Sequence, residues 1–94
     1  MNIIKVIQQA IHNYNNPSDS KLFKKATNLY HLYVSNNIRY HVVYKNKMYG
    51  TQQALVTRDK MYSMLCAIPE MPSGEIRRKK LVEMVQLFKQ YNCQ

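Results

Sequence analysis

Four consecutive cations, Arg77-Arg78-Lys79-Lys80, are the residues whose type and spacing point most directly to chemistry. They fall in the first two turns of a predicted helix, where the macrodipole is already positive and each cation costs about a few tenths of a kcal/mol. Backbone N–H groups at a helix start, together with nearby arginines, favour a bound phosphate group. The run therefore predicts a phosphate contact. A solvated charged face and a nuclear-localisation signal are alternative interpretations of the same residues.

A second basic set lies on the predicted second helix. Its members recur at intervals of three and four, which places them along one strip of the helix surface. The strip consists of Lys21, Lys24, Lys25, Asn28 and His31. No acid lies on it beyond its start, so the lysines repel one another. Alone, such a strip is typical of a solvated face, but with the four-cation run it predicts a polyanion-binding surface if both share one side of the fold.

A third basic set alternates along a predicted strand over 38–45. Arg39 points outward there, with His41 and Lys45, because successive side chains of a strand face opposite ways. Tyr49, beside Gly50 in the predicted turn, is the ring that we expect to be exposed. An exposed ring next to cations is suited to stacking on an unpaired base.

The charge balance supports a polyanionic partner. Fourteen Lys and Arg against five Asp and Glu give a formal net charge of +9. The abundant Lys, Asn, Tyr and Ile are spelled by A/T-rich codons, which fits a virus, a phage or a low-GC bacterium. Such bias explains why Lys outnumbers Arg, but it does not explain the scarcity of acids. The remaining excess predicts attraction to polyanions.

Catalysis finds little support in the residue types. The five carboxylates include no close pair at helical spacing suited to acid–base or two-metal chemistry. The histidines lie on separate predicted elements, and Cys66 falls on an apolar stripe, where an inert thiol is expected. Two glycines cannot build a nucleotide-binding loop, and no metal-binding motif occurs. We therefore expect a protein that is not an enzyme, with no cofactor and no metal.

The elements that position these residues follow from periodicity. One domain spans 1–94, because the chain is too short for two. Apolar steps of three and four predict helices over 3–14, 21–34, 52–68 and 74–91, and alternation predicts a strand or hairpin-like segment near 38–50. A short strand over 54–57, with the helix starting at Asp59, is the alternative for the third helix. The fold class is thus mostly α, with about four helices.

Caps and buried stripes complete the prediction. Ser18-Asp19-Ser20, Thr51 and Ser73 are the predicted N-caps, and Asn36-Asn37 is the predicted C-cap of the second helix. Lys89 lies in the last turn of the last helix, where the dipole favours a cation, and no phosphate role is expected for it. The buried stripe of that helix is predicted to consist of Ile76, Leu81, Met84, Val85, Phe88 and Tyr91.

Two classes of function remain. The leading hypothesis is non-enzymatic binding of nucleic acid, DNA or RNA, through its phosphate backbone. The expected contacts are Lys21, Lys24, Lys25, Arg39, Arg77, Arg78, Lys79 and Lys80. The alternative is a small protein-interaction module, either a homodimer or an inhibitor of an acidic partner protein, because Tyr and Met are enriched at interfaces. Two cysteines without a disulfide framework or a signal peptide indicate an intracellular protein, in cytoplasm or nucleus, and no apolar run is long enough for a membrane span.

Overall fold

Within the residues that the structure describes, the chain forms four α-helices and one short β-hairpin between the second and third helices. The computed structural model describes residues 3–13, 17–41, 47–72 and 74–93. The elements are α1 (Ile3–Asn13), α2 (Pro17–Asn37), β1 (Ile38–His41), β2 (Lys47–Gly50), α3 (Gln52–Ala67), a 3₁₀ turn (Ile68–Glu70) and α4 (Glu75–Asn92). The predicted mostly helical fold class is confirmed.

Helix α2 is the centre of the fold, because α1, α3 and α4 all pack against it. Near its start, Asp19 contacts Arg77 at the start of α4. Farther along both helices, the Asn92 amide of α4 donates to the Leu29 carbonyl of α2 at 3.1 Å. The contacts follow the same order along the two helices, so α2 and α4 run in the same direction.

The core is built from the apolar stripes of all four helices. Its fully buried side chains include Phe23 on α2, Met61 and Leu65 on α3, and Leu81 and Phe88 on α4. The stripe predicted for α4 is wrong at its first position, because Ile76 is 67% exposed while Arg77 is fully buried. Arg77 precedes Leu81 by four residues and therefore lies on the same line of the helix.

Helix termini show which predicted caps hold. Thr51 accepts a hydrogen bond from the Ala54 N–H at 3.1 Å, and the helix is continuous from Gln52, which excludes the alternative strand over 54–57. The 18–20 segment lies inside the first turn of α2, since that helix begins at Pro17, a residue whose fixed φ suits a first helical position. Ser73 lies outside the described residues, and Gly74, with φ of +110°, precedes α4.

The hairpin is antiparallel and follows α2 directly. Its register pairs Ile38 with Gly50, Arg39 with Tyr49, Tyr40 with Met48 and His41 with Lys47. The predicted C-cap segment is instead the last turn of α2, where the Asn37 amide donates to the Tyr33 carbonyl at 2.9 Å. Residues 42–46, including Lys45, lie outside the described residues. In the described ranges no helix combines the length and the apolar character needed to cross a bilayer.

Candidate phosphate-binding surface

The four-cation run is divided by the fold, and its first member is buried. The Arg77 Nε donates to Asp19 Oδ2 at 2.9 Å, and both side chains have 0% exposed area. This ion pair joins the first turn of α2 to the first turn of α4. The expectation that Arg77 contacts phosphate is therefore corrected, since its side chain is inaccessible from the surface and neutralised by Asp19.

The other three members of the run are exposed but do not all lie on one side of α4. The Arg78 side chain is 53% exposed, and its Nε lies 3.6 Å from Asp19 Oδ1. Arg78 and Lys79 both line a shallow depression that also contains Ile76, Val82, Glu75 and Glu83. Lys80 is also exposed, but successive residues of an α-helix diverge by about 100°. The run therefore does not form one cluster at the helix start.

The predicted lysine strip of α2 is also divided between two neighbouring helices. Lys21, Lys24 and Lys25 are all exposed, as predicted. Lys24 lines a polar groove with Lys5 of α1, to which glutamines and a serine contribute. Lys25 instead interacts with Lys89 of α4. The strip thus faces α1 on one side and α4 on the other.

The effect of Lys89 on Lys25 is the least expected feature of the surface. The pKa of Lys25 is lowered because its neutral amine can accept a hydrogen bond from the Lys89 ammonium and because the Lys89 charge repels a second one, with a smaller contribution from burial. The sequence predicts no phosphate role for Lys89, but Lys89 lies near Lys25, which is predicted to contact phosphate. The sequence spacing does place Lys89 on the same side of α4 as Arg78, because the two residues are eleven apart, which is close to three full turns.

Acids do not balance these lysines. The described carboxylates in ion pairs are Asp19, with Arg77 and Arg78, and Asp59, with Arg58. In the described parts of α2 and α4, no lysine is paired with a carboxylate. We call Lys21, Lys25, Arg78 and Lys89 the α2–α4 cationic surface.

His31, predicted as part of the basic strip, is exposed and also touches an aromatic cluster. Its ring meets Tyr30 edge-on with centroids 5.4 Å apart, and Tyr30 also packs against Tyr62 of α3 at 6.0 Å. Burial raises the pKa of Tyr30, an effect that the nearby Arg58 charge partly offsets. This cluster fastens α2 to α3 and lies apart from the contact between α2 and α4.

Arg39 lies on the hairpin, beyond the end of α2. It is exposed, and its cross-strand partner Tyr49 is 45% exposed, as expected for that ring. Arg39 thus keeps its predicted accessibility, but on a different element from the α2–α4 cationic surface.

Other chemistry has little material in the described residues. No group of three or more His, Cys, Asp or Glu side chains there could hold a metal ion. Cys66 is half-buried and Cys93 exposed, and neither forms a disulfide. No protein-family model, curated protein or solved structure matches the chain.

Proposed function

We propose that this protein binds nucleic acid without catalysing a reaction, and that the α2–α4 cationic surface contacts the phosphate backbone. The observation that carries the proposal is that Lys25 and Lys89 are exposed on two helices that pack together, with no described carboxylate paired to either. The lowered pKa of Lys25, which Lys89 causes, supports their proximity. Two ammonium groups in this arrangement repel each other. A phosphate placed between them would accept hydrogen bonds from both and remove that repulsion.

Charges elsewhere support a polymeric anion over a single small one. Lys21 lies one turn before Lys25 on α2, and Arg78 and Lys89 lie on one side of α4, so the cations extend along both parallel helices. The net charge of +9 adds long-range attraction. Cations arranged along a polyanion displace its condensed counterions, which favours binding at low salt with little sequence preference.

The test is the salt dependence of binding by a charge-neutral variant. Lys25→Gln with Lys89→Gln removes two expected phosphate contacts and keeps good helix-forming residues. Against a labelled oligonucleotide, the plot of log affinity against log salt should become shallower by about 0.9 per lost contact for B-form DNA and about 0.7 for a single strand. The affinity measured at low salt should also fall.

A matched control removes the same charge elsewhere. Lys5→Gln with Lys60→Gln neutralises two exposed lysines on α1 and α3, and it should retain most of the affinity and nearly the full slope. If both double variants lost the same affinity and the same slope, binding would depend on net charge alone and not on the position of Lys25 and Lys89. Full affinity in the Lys25/Lys89 variant would refute the proposal.

The second candidate is a protein-interaction module, favoured by one feature of α4. Ile76 is 67% exposed and Val82 is 39% exposed, and both line a shallow depression whose rim carries acids and bases. Apolar side chains inside a charged rim are typical of an interface. A dimer by light scattering, together with no retention of nucleic acid, would favour this function over the first.

A further inference from the structure

The β-hairpin presents one face to the helices and the other to solvent. Ile38 is buried, with 5% of its area exposed, and its cross-strand partner Gly50 leaves little room for a side chain. A Cβ at Gly50 would lie 3.2 Å from the Asn37 carbonyl oxygen and 3.3 Å from Ile38 Cγ1, which is tighter than ordinary van der Waals contact. Farther along the same face, Arg58 Nη1 of α3 contacts Met48 Sδ at 3.1 Å. The inner face is therefore held by both α2 and α3.

The outer face carries a cation and an aromatic ring side by side. Arg39 follows the buried Ile38 and so points the opposite way. Tyr49 is directly opposite Arg39 in the register, and antiparallel partners share one face of the ribbon. Arg39 is exposed, and Tyr49 is 45% exposed. A ring beside a guanidinium group, fixed on a ribbon, is a suitable surface for a flat base and its adjoining phosphate.

We propose that the Arg39–Tyr49 face stacks an unpaired base, so that the preferred ligand of the protein is single-stranded nucleic acid. This inference rests on the proposed function, because phosphate binding by the α2–α4 cationic surface is what brings the strand to the hairpin. Lys25 precedes the end of α2 by twelve residues, about 18 Å of helix. A stacked strand spans that distance with on the order of five nucleotides.

The decisive comparison uses ligands with equal phosphate charge and different bases. Oligothymidylate and oligouridylate of about 12 nucleotides carry bases, whereas an abasic strand of the same length carries none. We expect the wild-type protein to bind either base-bearing strand about 5- to 150-fold more tightly than the abasic strand, the range that one stacked base corresponds to. The two sugars distinguish RNA from DNA, and tighter binding to either supports the inference.

Two variants at Tyr49 separate stacking from hairpin stability. Tyr49→Val keeps a residue type that favours strands but removes the ring, so this variant should bind base-bearing strands as weakly as the abasic strand. Tyr49→Phe should keep wild-type affinity. Binding to a 12-base-pair duplex and to the abasic strand should be unchanged in both variants. Tyr62→Leu, at another exposed tyrosine, is the matched control and should retain the preference for bases.

A direct readout is available because the chain contains no tryptophan. Tyr49→Trp places the only indole at the proposed stacking site, and its fluorescence should be quenched by oligothymidylate but not by the abasic strand. Equal wild-type affinity for abasic and base-bearing strands would overturn stacking while leaving phosphate binding intact. Stacking would also be overturned if Tyr49→Val weakened binding to the duplex as much as it weakened binding to base-bearing strands. Failure of the wild type to bind any of these ligands would instead overturn the proposed function itself.

Discussion

Among the described interactions of α2 with α4, the Asp19–Arg77 pair and the Lys25–Lys89 pair both contain cations but differ in charge, hydrogen bonding and burial. Asp19 and Arg77 are oppositely charged, hydrogen-bonded and fully buried. Lys25 and Lys89 carry the same charge, and Lys25 is fully exposed. A buried charge without a partner is strongly destabilising, whereas water and salt screen an exposed one. The fold therefore fixes the partner of Arg77 but leaves the two lysines available to an external anion.

The buried pair also explains how the protein tolerates a cation at the start of α4. A cation in the first turn of a helix is unfavourable, and Arg77 is in that position. Asp19 offsets this cost, since its carboxylate lies beside the start of α4. Asp19 is also in the first turn of α2, where an acid is favourable. One carboxylate therefore compensates two helix starts that the parallel packing brings together.

The largest expected effect comes from breaking the buried pair. Arg77→Ala leaves the Asp19 carboxylate buried without its main partner, so the free energy of unfolding should fall by about 3–5 kcal/mol. Urea unfolding followed by circular dichroism measures this change. The helix dipole alone would give the opposite sign, since removing a cation from a helix start is slightly stabilising.

The control for Arg77 is its neighbour. Arg78 is half-exposed and lies farther from Asp19, so Arg78→Ala should change the free energy of unfolding by at most about 1 kcal/mol. Replacing both members of the buried pair, with Asp19→Leu and Arg77→Met, should recover most of the loss because no charge is left unpaired. An Arg77→Ala variant as stable as Arg78→Ala would show that the pair does not hold the helices together.

The sequence predicted the elements well and the division of charges poorly, for identifiable reasons. The periods of three and four and the Thr51 cap act locally, so they located the helices. Arg77 lies four residues before Leu81 and therefore falls on the buried line, but a local pattern favours the apolar Ile76 for that role. Its partner Asp19 is 58 residues away. Only the parallel packing of α2 and α4 brings them together.

The same limit applies to the lysines. Spacing along α2 placed Lys24 and Lys25 on one strip, because both recur with Lys21 at helical intervals. Whether a lysine at the edge of that strip faces α1 or α4 depends on how the helices are rotated against each other. That rotation is set by side chains distant in sequence, such as Phe23 and Phe88 in the shared core. Lys89 can be assigned to the α2–α4 cationic surface only when this rotation of the helices is known.

A charge reversal at Lys25 should make the exposed contact resemble the buried one. Lys25→Glu places a carboxylate beside Lys89, so repulsion is replaced by attraction and stability should rise slightly, opposite in sign to Arg77→Ala. Nucleic-acid affinity should fall further than in the glutamine variant, because the new charge repels phosphate. Thermal unfolding and the salt series measure the two effects. Lower stability together with unchanged affinity would contradict both the geometry and the proposed role of Lys25.

The smallest expected effect is a pH dependence confined to the lysine contact. The pKa of Lys25 is lowered from its ordinary 10.5 by Lys89, so the folded state disfavours the charged form. That penalty is fully present below the lowered folded pKa and disappears as pH rises past the unfolded value. Lys25→Gln should therefore be slightly more stable than the wild type at neutral pH. The difference should vanish by about pH 11.

Tyr30 titrates in the same range, but it does not obscure this difference. Its raised pKa means that stability is present below the unfolded tyrosine pKa and is lost as pH rises through the folded one. This loss is common to wild type and variant, so it cancels when the two are compared at each pH. High salt gives an independent check, because a Debye length of about 3 Å at 1 M screens the repulsion and should reduce the difference at neutral pH. A difference unaffected by either pH or salt would show that the two ammonium groups do not interact, and Lys25 would then be an ordinary surface lysine.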